Sequence, residues 1–268
     1  MNKLTDILIV DDEQIVLDAV EKICSAEGYK VEQSITVEDA LNKIDKNNYR
    51  LIISDIMMPD FDGFQFLEEI AKRKILAPVI MTTGYSTVEN AVRSLYNGAI
   101  DFIPKPFTAD ELISSVARGL KYLEIQKRLI ESKNRTDDAS IIYVPCPAKY
   151  FRLGYASWAE VENTGSILIG VTDLFIKTID SINELELLKI DDEIVQGNCC
   201  SQIKSKEGLG HYVLSPITGR IIEWNEQLLN DTSIIEKDPY FNGWFYRVIP
   251  SDSEYEIKHL IPCSSDRL

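Results

Sequence analysis

Five short apolar runs alternate with five amphipathic stretches over the first 122 residues. The runs are Asp6–Val10, Lys30–Ser34, Leu51–Ser54, Pro78–Thr82 and Asp101–Ile103. Between and after them lie Ile15–Glu27, Val37–Asn47, Gly63–Lys72, Thr87–Asn97 and a stretch from Ala109 onward. Continuous apolar runs suit strands covered on both faces. Their alternation with helices predicts an α/β doubly wound parallel five-stranded sheet. Thr36 and Thr108 are placed to cap helix starts, and Gly28 and Gly98 to close helix ends.

Functional groups in such sheets gather at the carboxyl ends of the strands. Asp11 and Asp12 close the first run, Asp55 the third and Thr83 the fourth, and Lys105 follows the fifth between two prolines. Three carboxylates and a lysine there form an acidic pocket. Magnesium takes oxygen ligands in octahedral geometry and keeps some waters. Asp11, Asp12 and Asp55 are the expected ligands, with the Met57 carbonyl completing the shell. The Asp55 carboxylate can attack phosphorus to give an acyl phosphate, with Lys105 balancing the charge. Thr83 would bond a phosphoryl oxygen and Phe102 would turn into the space Thr83 leaves, a two-state switch biased by local charge.

The residues from about 5 to 124 resemble the receiver domain of two-component response regulators. Carrying the resemblance are Val10-Asp11-Asp12-Glu13, Asp55-Ile56-Met57-Met58-Pro59 with Asp62-Gly63, Met81-Thr82-Thr83-Gly84, and Gly98 through Phe107. The intervals from Asp55 to Thr83 and to Lys105, 28 and 50 residues, also suit that family. The resemblance implies phosphorylation on Asp55 by a sensor histidine kinase.

Ile113, Val116, Leu120, Leu123 and Ile130 follow a 3-4-3 spacing, with Lys127 in the one polar slot. Such a stripe can pair two subunits, giving a homodimer through the receiver and linker helix. The alternative is a first half packed on the sheet and a second half serving as linker. The expected domains are a receiver over 1–124, a helical linker and hinge over 125–140 with polar Glu131–Ser140 as the hinge, and a second domain over 141–268. From Ile141 short apolar runs are broken about every ten residues, and all three tryptophans fall here, so an all-β barrel or sandwich is expected, with one helix over Thr172–Ile182.

This second half resembles the H-protein of the glycine cleavage system, a lipoyl carrier. The matching residues are Trp158, Gly170-Val171-Thr172-Asp173, Leu187 through Gly197, Ser215 through Gly219 with Asn225, and Asp238 through Trp244. The resemblance implies a flattened barrel of two interlocked sheets with a carrier lysine on a hairpin tip. Counting from the flanking motifs puts that position at Glu207 or Gly208. Lys206 is one place off and Lys204 is three. A one-residue shift in a hairpin can turn a side chain to the other face, so neither lysine is expected to carry lipoyl.

The formal net charge is −15, and residues 139–268 hold 11 Lys and Arg against 19 Asp and Glu. Without a basic surface, nucleic acid is not an expected partner. No run reaches about 18 apolar residues, so no membrane span is expected, and no membrane partner is expected either. His211 and His259 are too scattered for a metal site, and five cysteines without a Cys-x-x-Cys suit reduced thiols in the cytoplasm. The resulting expectation is a cytoplasmic response regulator whose H-protein-like domain contacts a protein output partner. It is not expected to be an enzyme beyond its own phosphorylation and dephosphorylation. The alternative is a phosphorylation-regulated lipoyl carrier in a redox or one-carbon complex.

Overall fold

The computed structural model describes residues 4–59, 61–85, 87–133 and 142–267. The chain divides into two compact units, residues 1–86 with 97–139 and residues 140–268 with 87–96.

The α/β elements alternate as the sequence predicts. They are β1 (Leu4–Val10), α1 (Gln14–Ala26), β2 (Val31–Ser34), α2 (Val37–Lys46), β3 (Asn48–Asp55), α3 (Gly63–Lys72), β4 (Val79–Thr83), α4 (Val88–Tyr96), β5 (Asp101–Pro104) and α5 (Ala109–Lys133). The strands form one parallel sheet in the order β2-β1-β3-β4-β5. Ile7, Leu8, Ile9 and Val10 are all buried, as are Leu51, Ile52 and Ile53, so both faces of the sheet are covered. The Thr36 hydroxyl accepts from the Asp39 N–H at the start of α2, and Thr108 accepts from Glu111 at the start of α5. Gly28 and Gly98 hold the positive φ that closes a helix.

Helix α5 uses much of the 3-4-3 stripe within the chain, as the second of the two readings expects. It packs on β3, β4 and β5 and on α1. Val116, Leu120 and Leu123 are buried by those contacts, while Ile130 is exposed. A buried ion pair from Arg118 to Asp101, with Ser115 donating to the same carboxylate at 2.5 Å, pins the helix to β5. The helix continues to Lys133, and most of the expected hinge lies outside the described residues.

The second unit, which also takes in α4, is mainly antiparallel β after residue 140. Its elements are β6 (Phe151–Leu153), β7 (Ser157–Val161), β8 (Ile167–Val171), α6 (Asp173–Thr178), β9 (Ile182–Leu187), β10 (Glu193–Ile194), β11 (Cys199–Ser205), β12 (Gly210–Leu214), β13 (Gly219–Trp224), α7 (Glu226–Asn230), α8 (Ser233–Lys237), β14 (Tyr246–Pro250), α9 (Ser253–Glu256) and β15 (Ile261–Pro262). Seven strands pair in the order β10-β13-β14-β8-β7-β6-β15 and three in the order β12-β11-β9. The Tyr246 hydroxyl ties the two sheets, donating to the Cys200 carbonyl at 2.9 Å and accepting from the Leu188 N–H at 2.7 Å. Trp158 is fully buried with Tyr150 and Tyr240 and donates to the Val171 carbonyl. Gly170 lies against its indole, where a Cβ would come 2.7 Å from Cζ2. The helix expected over Thr172–Ile182 ends at Thr178, because Ile182 pairs with Ser205 and starts β9.

Candidate functional site

Three strand ends meet at the acidic pocket. Asp55 is the last residue of β3, Asp11 follows β1 and Lys105 follows β5. β1 and β3 are neighbours at the point where the strand order reverses, so a crevice opens between their carboxyl ends. Lys105 Nζ stands 2.6 Å from Asp11 Oδ2 and 2.7 Å from Asp55 Oδ1. Its backbone N–H donates to the Thr83 carbonyl at 2.8 Å, which fixes the start of the loop. The second Asp55 oxygen, Oδ2, accepts the Met57 N–H at 2.6 Å.

Burial pushes the Asp55 carboxyl above its ordinary range, although Lys105 pulls it down. Lys105 is pulled down by burial, but its bonds to Asp11 and Asp55 outweigh that and leave it raised. The centre is thus a cation held between two buried carboxylates, with one negative charge in excess.

Helix α3 approaches the backbone at the end of β3 closely because residue 63 is glycine. Its N–H donates to the Ile56 carbonyl at 2.8 Å, and a Cβ there would stand 2.2 Å from the Asp55 carbonyl oxygen. Asp62 caps the helix through a reciprocal pair with Gln65.

The remaining sequence-predicted residues fall around this centre in different states. Asp12 is exposed at the mouth, and Met57 offers its N–H to Asp55. Thr83 is fully buried and its hydroxyl accepts the Tyr85 N–H at 3.1 Å. Phe102 is buried at 7% exposure. Sequence reasoning missed the Tyr85 amide as the partner of Thr83, since a backbone donor leaves no signal in residue type.

An oxygen-only donor set from Asp11, Asp12, Asp55 and the Met57 carbonyl has the chemistry that Mg²⁺ takes. Among the described residues no three His, Cys, Asp or Glu side chains form a ready metal cluster. With Lys105 between two of the carboxylates, waters would fill several ligand positions.

In the second unit, β11 and β12 make the hairpin expected at the carrier position, with its turn over residues 206–209. Lys206 is exposed in the turn. Lys204 points across to β9, where Glu184 at 3.2 Å and Glu186 hold its ammonium. Burial raises the thiol of Cys200, which keeps it protonated, whereas Cys199 is exposed. His211 is buried and His259 half-buried, on separate elements.

The parallel α/β unit and the mainly antiparallel unit match two different family models. Residues 7–117 match the family model of the response regulator receiver domain, and residues 149–264 match that of the glycine cleavage H-protein. The chain therefore carries a receiver domain followed by a glycine cleavage H-protein domain. It is 34% identical over 139 residues to the nitrogen assimilation regulatory protein NtrX of Azorhizobium caulinodans, covering 51% of this chain and 31% of that protein. To the regulatory protein AtoC of Escherichia coli it is 33% identical over 129 residues, covering 48% and 28%. The chain thus spans under a third of the length of these two curated relatives. A CheY-like receiver structure from Methanospirillum hungatei aligns at 36% identity and a TM-score of 0.40, over 49% of this chain and 98% of that one. A glycine cleavage system H protein structure from Mycobacterium marinum aligns at 20% identity and a TM-score of 0.37, over 42% and 96%. No helix among the described residues is long and apolar enough to cross a membrane.

Proposed function

We propose that the chain is a cytoplasmic response regulator phosphorylated on Asp55 by a sensor histidine kinase. The observation that carries this reading is Lys105 Nζ within 2.7 Å of Asp55 Oδ1 and 2.6 Å of Asp11 Oδ2 at adjoining strand ends. An Asp55 oxygen attacks phosphorus, the phosphorus–nitrogen bond of the donor phosphohistidine breaks, and the imidazole leaves with the bonding pair. Lys105 stays within reach of the charge that develops on the transferred group. Asp11, Asp12, Asp55 and the Met57 carbonyl would hold Mg²⁺, which when bound neutralises charge on the phosphoryl oxygens. Thr83 would leave the Tyr85 amide to bond the phosphoryl group. Phe102, already largely buried, would adjust its packing around that movement.

Acetyl phosphate with Mg²⁺ should therefore add one phosphoryl group to the full chain, and Asp55→Asn should take none. Equal labelling of Asp55→Asn and the parent would remove the assignment.

The H-protein-like domain is read as an output module that works by contact with a protein partner, without nucleic acid, membrane or catalytic chemistry of its own. Its engaged Lys204 and the displaced Lys206 support that reading. The second reading, a phosphorylation-regulated lipoyl carrier, rests on the exposure of Lys206 in the turn. Pull-down with the full chain, before and after acetyl phosphate, tests the first. Recovery of no protein dependent on residues 142–267 would count against it.

A further inference from the structure

A hollow of about 440 Å³ opens at the amino-terminal end of β3 and β4, the end of the parallel sheet away from Asp55. It lies where α2 ends, β3 begins and the turn from α3 enters β4, with α5 along one side. Ile44, Ile52, Ala77 and Leu123 make an apolar lining, and Ile52, Ala77 and Leu123 are buried. No Asp or Glu lines it, in a chain with 43 acidic residues against 28 basic ones. The charged residues that do line it are Lys74 and Lys127. Neither makes an ion pair among the described residues, so both ammonium groups are available to an anion.

Lys74 also sits where the backbone disfavours it. Its φ is +54°, in the left-handed turn that closes α3, with the Lys74 N–H on the Ala71 carbonyl and the Ile75 N–H on the Ile70 carbonyl. Glycine fills the corresponding positions at Gly28 and Gly98. A side chain in that conformation is strained relative to glycine, and such strain persists where the side chain serves something else.

We propose that this hollow binds a small organic anion, its apolar body against Ile44, Ile52 and Leu123 and its phosphate or carboxylate between Lys74 and Lys127. Cavities of this size suit small ligands when an apolar lining is joined to a few charged or polar groups. The exposed Asn48 amide at the rim adds one donor and one acceptor for the body.

Calorimetric titration of the full chain tests this with three probes: adenosine monophosphate, octanoate and inorganic phosphate. Adenosine monophosphate or octanoate should saturate with a Kd below about 1 mM, and inorganic phosphate should bind at least tenfold more weakly. Saturation by the nucleotide alone assigns a planar body, and by octanoate alone an alkyl one. Lys74→Gly and Lys127→Ala should each weaken binding about fivefold or more. Lys74→Gly should unfold at the same or a higher urea concentration, because glycine suits its φ. Lack of saturation by either organic probe, parent-like binding by both variants, or equally tight binding of inorganic phosphate would overturn the proposal.

Discussion

Lys105 and Asp55 form a buried ion pair 2.7 Å long that joins the end of β5 to the end of β3. Asp11 closes the other side at 2.6 Å, so one ammonium serves two carboxylates. Removing it leaves two buried acids facing each other. Lys105→Met should lower the unfolding free energy at neutral pH by about 1–3 kcal/mol, the cost of an unsatisfied buried group. Millimolar Mg²⁺ should restore part of that loss if the carboxylates bind it. Urea unfolding with and without Mg²⁺ reads both effects; parent-like stability in both conditions would mean that the pair is inconsequential.

The raised carboxyl of Asp55 fixes the sign of a pH effect. Below the ordinary aspartate value of about 3.9 the group is protonated in folded and unfolded chains alike and contributes nothing. As pH rises from there through the raised folded value, the unfolded chain ionises more readily, so the folded state loses stability. The loss is about 1.4 kcal/mol for each pH unit between the ordinary and the raised value. Asp55→Asn lacks this penalty. Its stability minus that of the parent should grow as pH rises from about 4 toward neutrality. A difference that is flat or shrinks over that window, measured by urea unfolding, would contradict a raised Asp55 carboxyl.

The meeting of Asp11, Asp55 and Lys105 was legible because each strand run ends abruptly in a carboxylate, hydroxyl or lysine, and parallel topology brings those ends together. Thr36, Thr108, Gly28 and Gly98 were legible for the same local reason, since caps and left-handed closures demand particular residue types. The destination of α5 was not. A 3-4-3 stripe reads alike on a helix lying over a sheet and on one seeking a second copy. The end of α6 was hidden because Ile182 is drawn into pairing with Ser205, a contact distant in sequence. Helices α7, α8 and α9 span 4 or 5 residues each, too short to show a period. Lys74 carried no signal at all, since nothing in residue type marks a lysine that adopts a positive φ.

Leu120 separates the two uses of the α5 stripe. It is 7% exposed within one chain, on a helix that packs against β3, β4 and β5. Leu120→Ala should cost about 2–4 kcal/mol, as for other buried leucines truncated to alanine. The cost should be the same at low and high protein concentration, because the contact lies inside the chain. A urea midpoint that shifts with concentration in the parent and ceases to shift in the variant would assign the stripe to a subunit seam.

The hairpin between β11 and β12 decides between output module and carrier. Lipoyl attachment converts a lysine amine to an amide, and arginine cannot form that bond though it keeps the charge. Lys204 is held by Glu184 and Glu186 on β9, so a ligase would have to break that contact before modifying it. Lys206 is exposed in the turn and free of this constraint, but it stands one residue from the position the family uses. The intact mass of the protein purified from its native host should therefore show no lipoyl increment, and Lys204→Arg with Lys206→Arg should leave both mass and host phenotype unchanged. An increment that Lys206→Arg abolishes would make the domain a carrier, with the one-residue displacement tolerated by the turn.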